Sequence, residues 1–176
     1  MVMGVDSNQP PQKPIQKNDV KRWMQSSDIE TLGAVYELVM NRRYSSLIEP
    51  PLEFADYHDF VKHYYERCFI ENPDGDWSDS RYSVGWSLCN WFKGLWDDPD
   101  IQRAVLADLK SWMATLYSNG NDELKNCLVT ATFEHLFDRK DIAKYFSDWK
   151  KDDLLKIAYA EAMEWQVKPQ GRGHPS

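Results

Sequence analysis

Apolar residues recur along this chain at helical spacing. Leu32, Val35, Tyr36, Val39 and Met40 follow an i, i+3, i+4, i+7, i+8 pattern, the stripe a helix presents to a core. Ser27 and Glu30 ahead of it form a capping-box pair, each side chain able to satisfy a backbone donor of the other, so a helix is expected from about residue 27. A short turn around residues 19–25 precedes it. Pro50-Pro51 exclude helix from the next connection. A second helix, about 55–71, carries Tyr57, Phe60, Val61, Tyr64 and Cys68 on one face.

Pro73, Asp74 and Gly75 open a turn-rich loop, and Asp79 or Ser80 can cap the next helix. This third predicted helix, about 80–97, has Tyr82, Val84, Trp86, Leu88, Cys89, Trp91, Phe92, Leu95 and Trp96 on nearly every side. That is the pattern of a central helix. Asp98-Pro99 reads as an N-cap with Pro at the first helical position, and Gly120 as the closing residue just past the C-terminus. Between them lie Ile101, Val105, Leu109, Trp112, Met113 and Leu116.

A fifth helix from Asn121 or Asp122 presents Leu124, Cys127, Leu128, Ala131 and His135. A sixth, near 139–150, uses Ile142, Tyr145, Phe146 and Trp149, and a seventh, near 153–166, uses Leu155, Ala158, Tyr159, Ala162 and Trp165. No period-2 run supports a strand. The expected fold is all-α, a compact bundle or array of about seven helices around the aromatic-rich helix at 80–97. A single domain at 17–166 is expected between disordered tails at 1–16 and 167–176, both rich in proline and small or polar residues.

Composition narrows the picture. The 176 residues include eight Trp, nine Tyr and seven Phe, enough aromatic area to build a core without metals or disulfides. Cys68, Cys89 and Cys127 stand far apart within apolar patterns and suit small buried hydrophobes in a reducing compartment. Neither a secretory signal nor a stretch of about 18 consecutive apolar residues is visible, which predicts a cytoplasmic protein. The net charge is −7, from 28 acidic and 21 basic residues. It disfavours nucleic acid, whose binding relies on Lys and Arg, and favours a basic protein partner.

No residue pattern specifies catalysis or a cofactor. His58 and His63 are five apart and match neither HExxH nor a bundle di-iron set. The loop Asn72 to Asp79 fails the EF-hand spacing, since Trp77 occupies the glycine position and Ser83 that of the bidentate acid. His135 is expected on a core face as a buried, hydrogen-bonded histidine. With Glu134 and Tyr82 it forms the candidate polar core or pocket. The candidate partner surface is acidic and aromatic: Asp74, Asp76, Trp77 and Asp79 in one loop, and Asp97, Asp98 and Asp100 at the other end of the aromatic helix. With about 18 residues between them, the two groups lie roughly 27 Å apart, too far for one small catalytic site but suited to a protein-sized surface. Aromatic anchors flanked by charge are what an interface for a basic partner uses.

Arg81-Tyr82, Trp86, Trp91-Phe92, Leu95-Trp96-Asp97-Asp98, Glu134-His135-Leu136-Phe137, Phe146, Trp149, Ala158-Tyr159 and Trp165 together resemble a poorly characterised family of small all-helical bacterial proteins. Some members are similar to immunity proteins of contact-dependent or secreted polymorphic toxin systems. The resemblance covers roughly residues 81–165 and rests mostly on aromatic core positions. It implies a cytoplasmic domain that binds and occludes a cognate toxin without metal or cofactor. Against this stand a small-ligand binder or enzyme using an aromatic-lined pocket, and a structural subunit that buries its aromatics in a homo-oligomer.

Overall fold

The computed structural model of the chain describes residues 13–167. Most of the two terminal segments expected to be disordered, residues 1–12 and 168–176, lie outside the described residues. The fold is all-α, and among the described residues seven helices have seven or more residues. The described residues form two compact units, 13–67 and 68–167.

The first unit begins with β1 (Ile15–Gln16), which pairs in parallel with β2 (Ile48–Glu49), Ile15 opposite Ile48. Residues 15–16, assigned by composition to the N-terminal tail, therefore belong to the ordered chain. Then come α1 (Lys17–Trp23), α2 (Ile29–Met40), α3 (Arg42–Ser45) and α4 (Phe54–Glu71), within which the unit boundary falls. The cap of α2 is Asp28 rather than Ser27: its carboxylate accepts from the Thr31 backbone N–H at 2.9 Å and the Thr31 hydroxyl at 2.7 Å. An ionised oxygen serves the exposed donors better than a neutral hydroxyl.

At the start of α4, Asp56 accepts from the Glu53 N–H at 2.8 Å and pairs with Lys17 at 2.7 Å. Lys17 and that backbone bond hold its carboxyl down to about 2. Val20, Leu32, Val35, Val39, Ile48, Phe60, Val61, Tyr64 and Tyr65 are buried. Tyr36 stacks on Tyr64 at 4.7 Å and shares a 2.7 Å hydroxyl hydrogen bond with Tyr65.

The second unit is organised by α5 (Arg81–Asp97), capped by Ser80. It packs against α6 (Arg103–Asn119), α7 (Asp122–Leu128), the π-helical segment Val129–Phe133 and α8 (Glu134–Leu136). Val84, Leu88, Cys89, Phe92 and Leu95 are buried, while Tyr82 and Trp86 are exposed. Asp98-Pro99 does not start α6. Asp98 instead ends α5 and accepts from the Asp100 N–H at 2.9 Å, closing an Asx turn, so the helix begins four residues later, at Arg103. Gly120 ends α6 as expected but with φ −73°. Crowding accounts for the glycine, since a Cβ there would lie 2.9 Å from the Leu116 carbonyl oxygen.

The π-helical segment changes the register of the residues after it. A π turn holds one residue more than an α turn, so Leu136 rather than His135 takes the buried position. Phe133 and Phe137 then meet Phe146, Trp149 and Tyr159 in a continuous aromatic core. Phe133 contacts Trp149 edge-on at 5.2 Å, Phe137 lies 5.3 Å from Phe146, and Phe146 lies 4.9 Å from Trp149. The predicted helix near 139–150 is α9 (Lys140–Tyr145) followed by the 3-10 segment Ser147–Lys151, and α10 (Leu155–Val167) completes the unit.

Gly85 sits where α5 meets the π-helical segment. A Cβ there would stand 2.7 Å from that of Ala131, whereas one at Gly94, on the same helix, would meet nothing within 4 Å. Gly85→Ala is therefore expected to destabilise the protein by roughly 1–3 kcal/mol through overpacking. Gly94→Ala should stabilise it by roughly 0.5–1 kcal/mol through reduced backbone entropy. Urea unfolding should show opposite midpoint shifts, and a Gly85→Ala protein as stable as the parent would remove the close approach as a constraint.

Candidate functional site

The loop after α4 is set by two residues. Gly75 adopts φ +81°, a conformation natural to glycine, and buried Asn72 donates its side-chain amide to the Asp79 carbonyl at 3.0 Å. Closing the loop in this way displays Asp74, Asp76 and Trp77, the last 55% exposed. Tyr82 and Trp86 come next, at i and i+4 spacing on α5, 45% and 49% exposed.

An open depression of about 480 Å³ forms beside this loop, lined by Pro73, Asp74, Arg81, Tyr82, Asp122, Glu123 and Asn126. Arg81 and Tyr82 are the first two residues of α5, and Asp122 and Glu123 the first two of α7. The Asn126 side-chain amide donates to the Tyr82 hydroxyl at 3.3 Å. The structure thus brings Tyr82 together with Asp74. Glu134 and His135 do not line that depression.

His135 is half-buried rather than a core residue, and its ring stacks on Trp86 with centroids 3.9 Å apart. Burial holds its imidazole below the ordinary value of 6.5. The Glu134 carbonyl accepts from the Gln166 amide at 2.6 Å. In the first unit His58 stacks on Phe54 at 5.0 Å and lies 3.2 Å from Asp59, while His63 is exposed.

The acidic group at the other end of α5 has a different character. Asp97 accepts from Arg139 Nη1 at 2.7 and 2.8 Å, Arg139 Nη2 donates to Asp141 at 2.8 Å, and Asp141 also accepts from Trp96 Nε1 at 2.8 Å. Asp97 is committed to a network within the chain, and Asp98 to its own turn.

Sequence reasoning missed Arg81, Asp122, Glu123 and Asn126. One signal was available for Arg81: a cation at the first position of a helix opposes the positive end of the macrodipole, and no acid occupies the first turn of α5.

No family model, curated protein or solved structure matches this chain. Cys89 and Cys127 are buried and their thiols pushed up to about 11, first by burial, so neither supplies a thiolate nucleophile at neutral pH. Among the described residues no group of three or more His, Cys, Asp or Glu is placed to hold a metal ion, and no helix is long and apolar enough to cross a membrane.

Hydrogen bonds from Arg139 and then Trp96 hold the Asp141 carboxyl at about 2, below its ordinary 3.8. Because the folded value is the lower one, the stabilisation is fully present above about 4 and disappears as pH falls towards 2. In Arg139→Gln, Asp141 should titrate closer to 3.8, and the acid limb of the stability curve should become shallower across that window. Carboxylate NMR titration measures the first effect and urea unfolding at several pH values the second. An unmoved Asp141 would show that Arg139 is not its main partner.

Proposed function

We propose that this chain is a cytoplasmic protein-binding module, an immunity protein that neutralises a cognate bacterial toxin by occluding it. The observation that carries the reading is the exposure of Trp77, Tyr82 and Trp86 in one short stretch of chain that also presents Asp74 and Asp76. Large aromatics cost solubility when left in water, and they supply most of the energy of an interface once covered. Carboxylates around them steer a basic partner and reject acidic ones. Asp122 and Glu123 extend the acidic character across the neighbouring depression. Asp97, Asp98 and Asp100 belong to the proposed surface as a secondary rim, because Asp97 and Asp98 already have partners within the chain.

Co-expression with the adjacent open reading frame in a growth-inhibition assay tests the proposal directly. Rescue of growth is expected. Trp77→Ala should weaken toxin binding by about thirtyfold, the scale of an aromatic hot spot worth about 2 kcal/mol. Asp74→Asn with Asp76→Asn should slow association and reduce its salt dependence. Helical circular dichroism should be unchanged in both. Failure of rescue, or rescue and affinity indifferent to these substitutions, overturns the reading.

A further inference from the structure

The depression beside α5 contains a cation that the chain itself does not satisfy. Arg81 is 5% exposed, its Nε–H has no hydrogen-bond acceptor, and the carboxylate nearest its Nη1, that of the largely exposed Glu123, stands 3.8 Å away. It also occupies the first position of α5, where the helix field is itself positive. Lys110, which lines a depression beside α6, differs: it donates to the Tyr145 carbonyl at 2.7 Å and to Asp148 at 2.5 Å. A buried guanidinium calls for an anion that reaches it with two oxygens, which a carboxylate does and water does poorly.

The surrounding walls restrict what can carry that carboxylate. Asp74, Asp122 and Glu123 contribute three negative charges against one positive from Arg81, so a plain anion would be repelled and a phosphate more so. A ligand that brings one carboxylate and two cations complements the lining in sign, with its carboxylate for Arg81 and its two cations shared among the three acids. A volume of about 480 Å³ is within the range that holds a small molecule.

We propose that this depression binds a free basic α-amino acid of the arginine or lysine class. Its carboxylate engages Arg81, its cationic groups lie against Asp74, Asp122 and Glu123, and the Tyr82 hydroxyl and Asn126 amide supply neutral hydrogen bonds. The site does not depend on toxin binding, and its failure would leave that reading standing.

Titration of the full chain with L-arginine, followed by NMR at the Arg81 Nε–H and the Asn126 side-chain amide, tests the proposal at the site itself. Two analogues separate its halves: agmatine keeps both cations and lacks the carboxylate, and L-citrulline keeps the carboxylate and lacks the side-chain cation. L-Arginine should give saturable shifts at both groups, and each analogue should bind at least about tenfold more weakly. Agmatine binding as well as arginine would reduce the site to an acidic patch. Citrulline binding equally well would remove the acidic walls from recognition, and an absence of saturation with arginine would remove the site.

Arg81→Gln should abolish the shifts at Asn126. Since a change at a buried residue can unfold the unit, Asp74→Asn, on an exposed loop, serves as the second variant and should weaken arginine binding with an unchanged amide spectrum elsewhere. Undiminished arginine binding by Asp74→Asn would overturn the assigned role of that wall.

Discussion

The second unit depends on how closely α5 approaches the π-helical segment. Gly85 leaves room for Ala131 against its Cα, and fully buried Thr132 donates its hydroxyl to the Gly85 carbonyl at 2.9 Å. A buried hydroxyl without a partner would cost about 1–3 kcal/mol, so this bond ties both the rotation of the segment and its distance from α5. The wide turn then sets every later residue. Leu136 and Phe137 rotate into the aromatic core, and His135 rotates out onto Trp86. The core and the outer aromatic face are thus two consequences of one contact.

The helices were legible because burial has a period, and a period survives without knowledge of the partner. Leu32, Val35 and Val39, like Leu124, Cys127 and Leu128, are buried as their spacing requires. The errors arise where a local signal has two physical uses. Asp98-Pro99 can open a helix or close a turn, and only the position of α6 decides. Asp28 and Ser27 are both good caps, and geometry chose the ionised one. His135 was misplaced because an inserted residue in a π turn leaves no trace in apolar spacing. The two-residue strand at Ile15 was invisible for a related reason: its pairing with Ile48 is non-local and too short for alternation to register.

The candidate surface was partly legible. The loop acids and Trp77 were visible as composition, but a formal charge of −7 does not say which acids remain available to a partner. The structure sorts them by geometry. Asp56 holds Lys17, Asp97 holds Arg139, and Asp141 holds Arg139 together with the Trp96 N–H, and so all three serve the fold. Asp122 and Glu123 lie in the first turn of α7 and complement its macrodipole. They also line the depression, so their contribution to helix stability and their contribution to the local field are the same charges acting twice.

Arg81 is the residue that packing alone explains least. Burying a guanidinium costs several kcal/mol even after relaxation unless it is paired and hydrogen-bonded, and an apolar side chain of similar volume is often the more stable choice. Here the pairing is long, on a largely exposed carboxylate, and Nε has no acceptor. The Arg81 carbonyl does participate in the fold, accepting from the Cys127 thiol at 3.4 Å, but any residue would supply that oxygen. What is particular to arginine at this position is its charge and its planar fork, and both are directed at a need the folded chain leaves open. Stability and the proposed recognition therefore make opposite demands on the first residue of α5, which keeps a charge against the helix field.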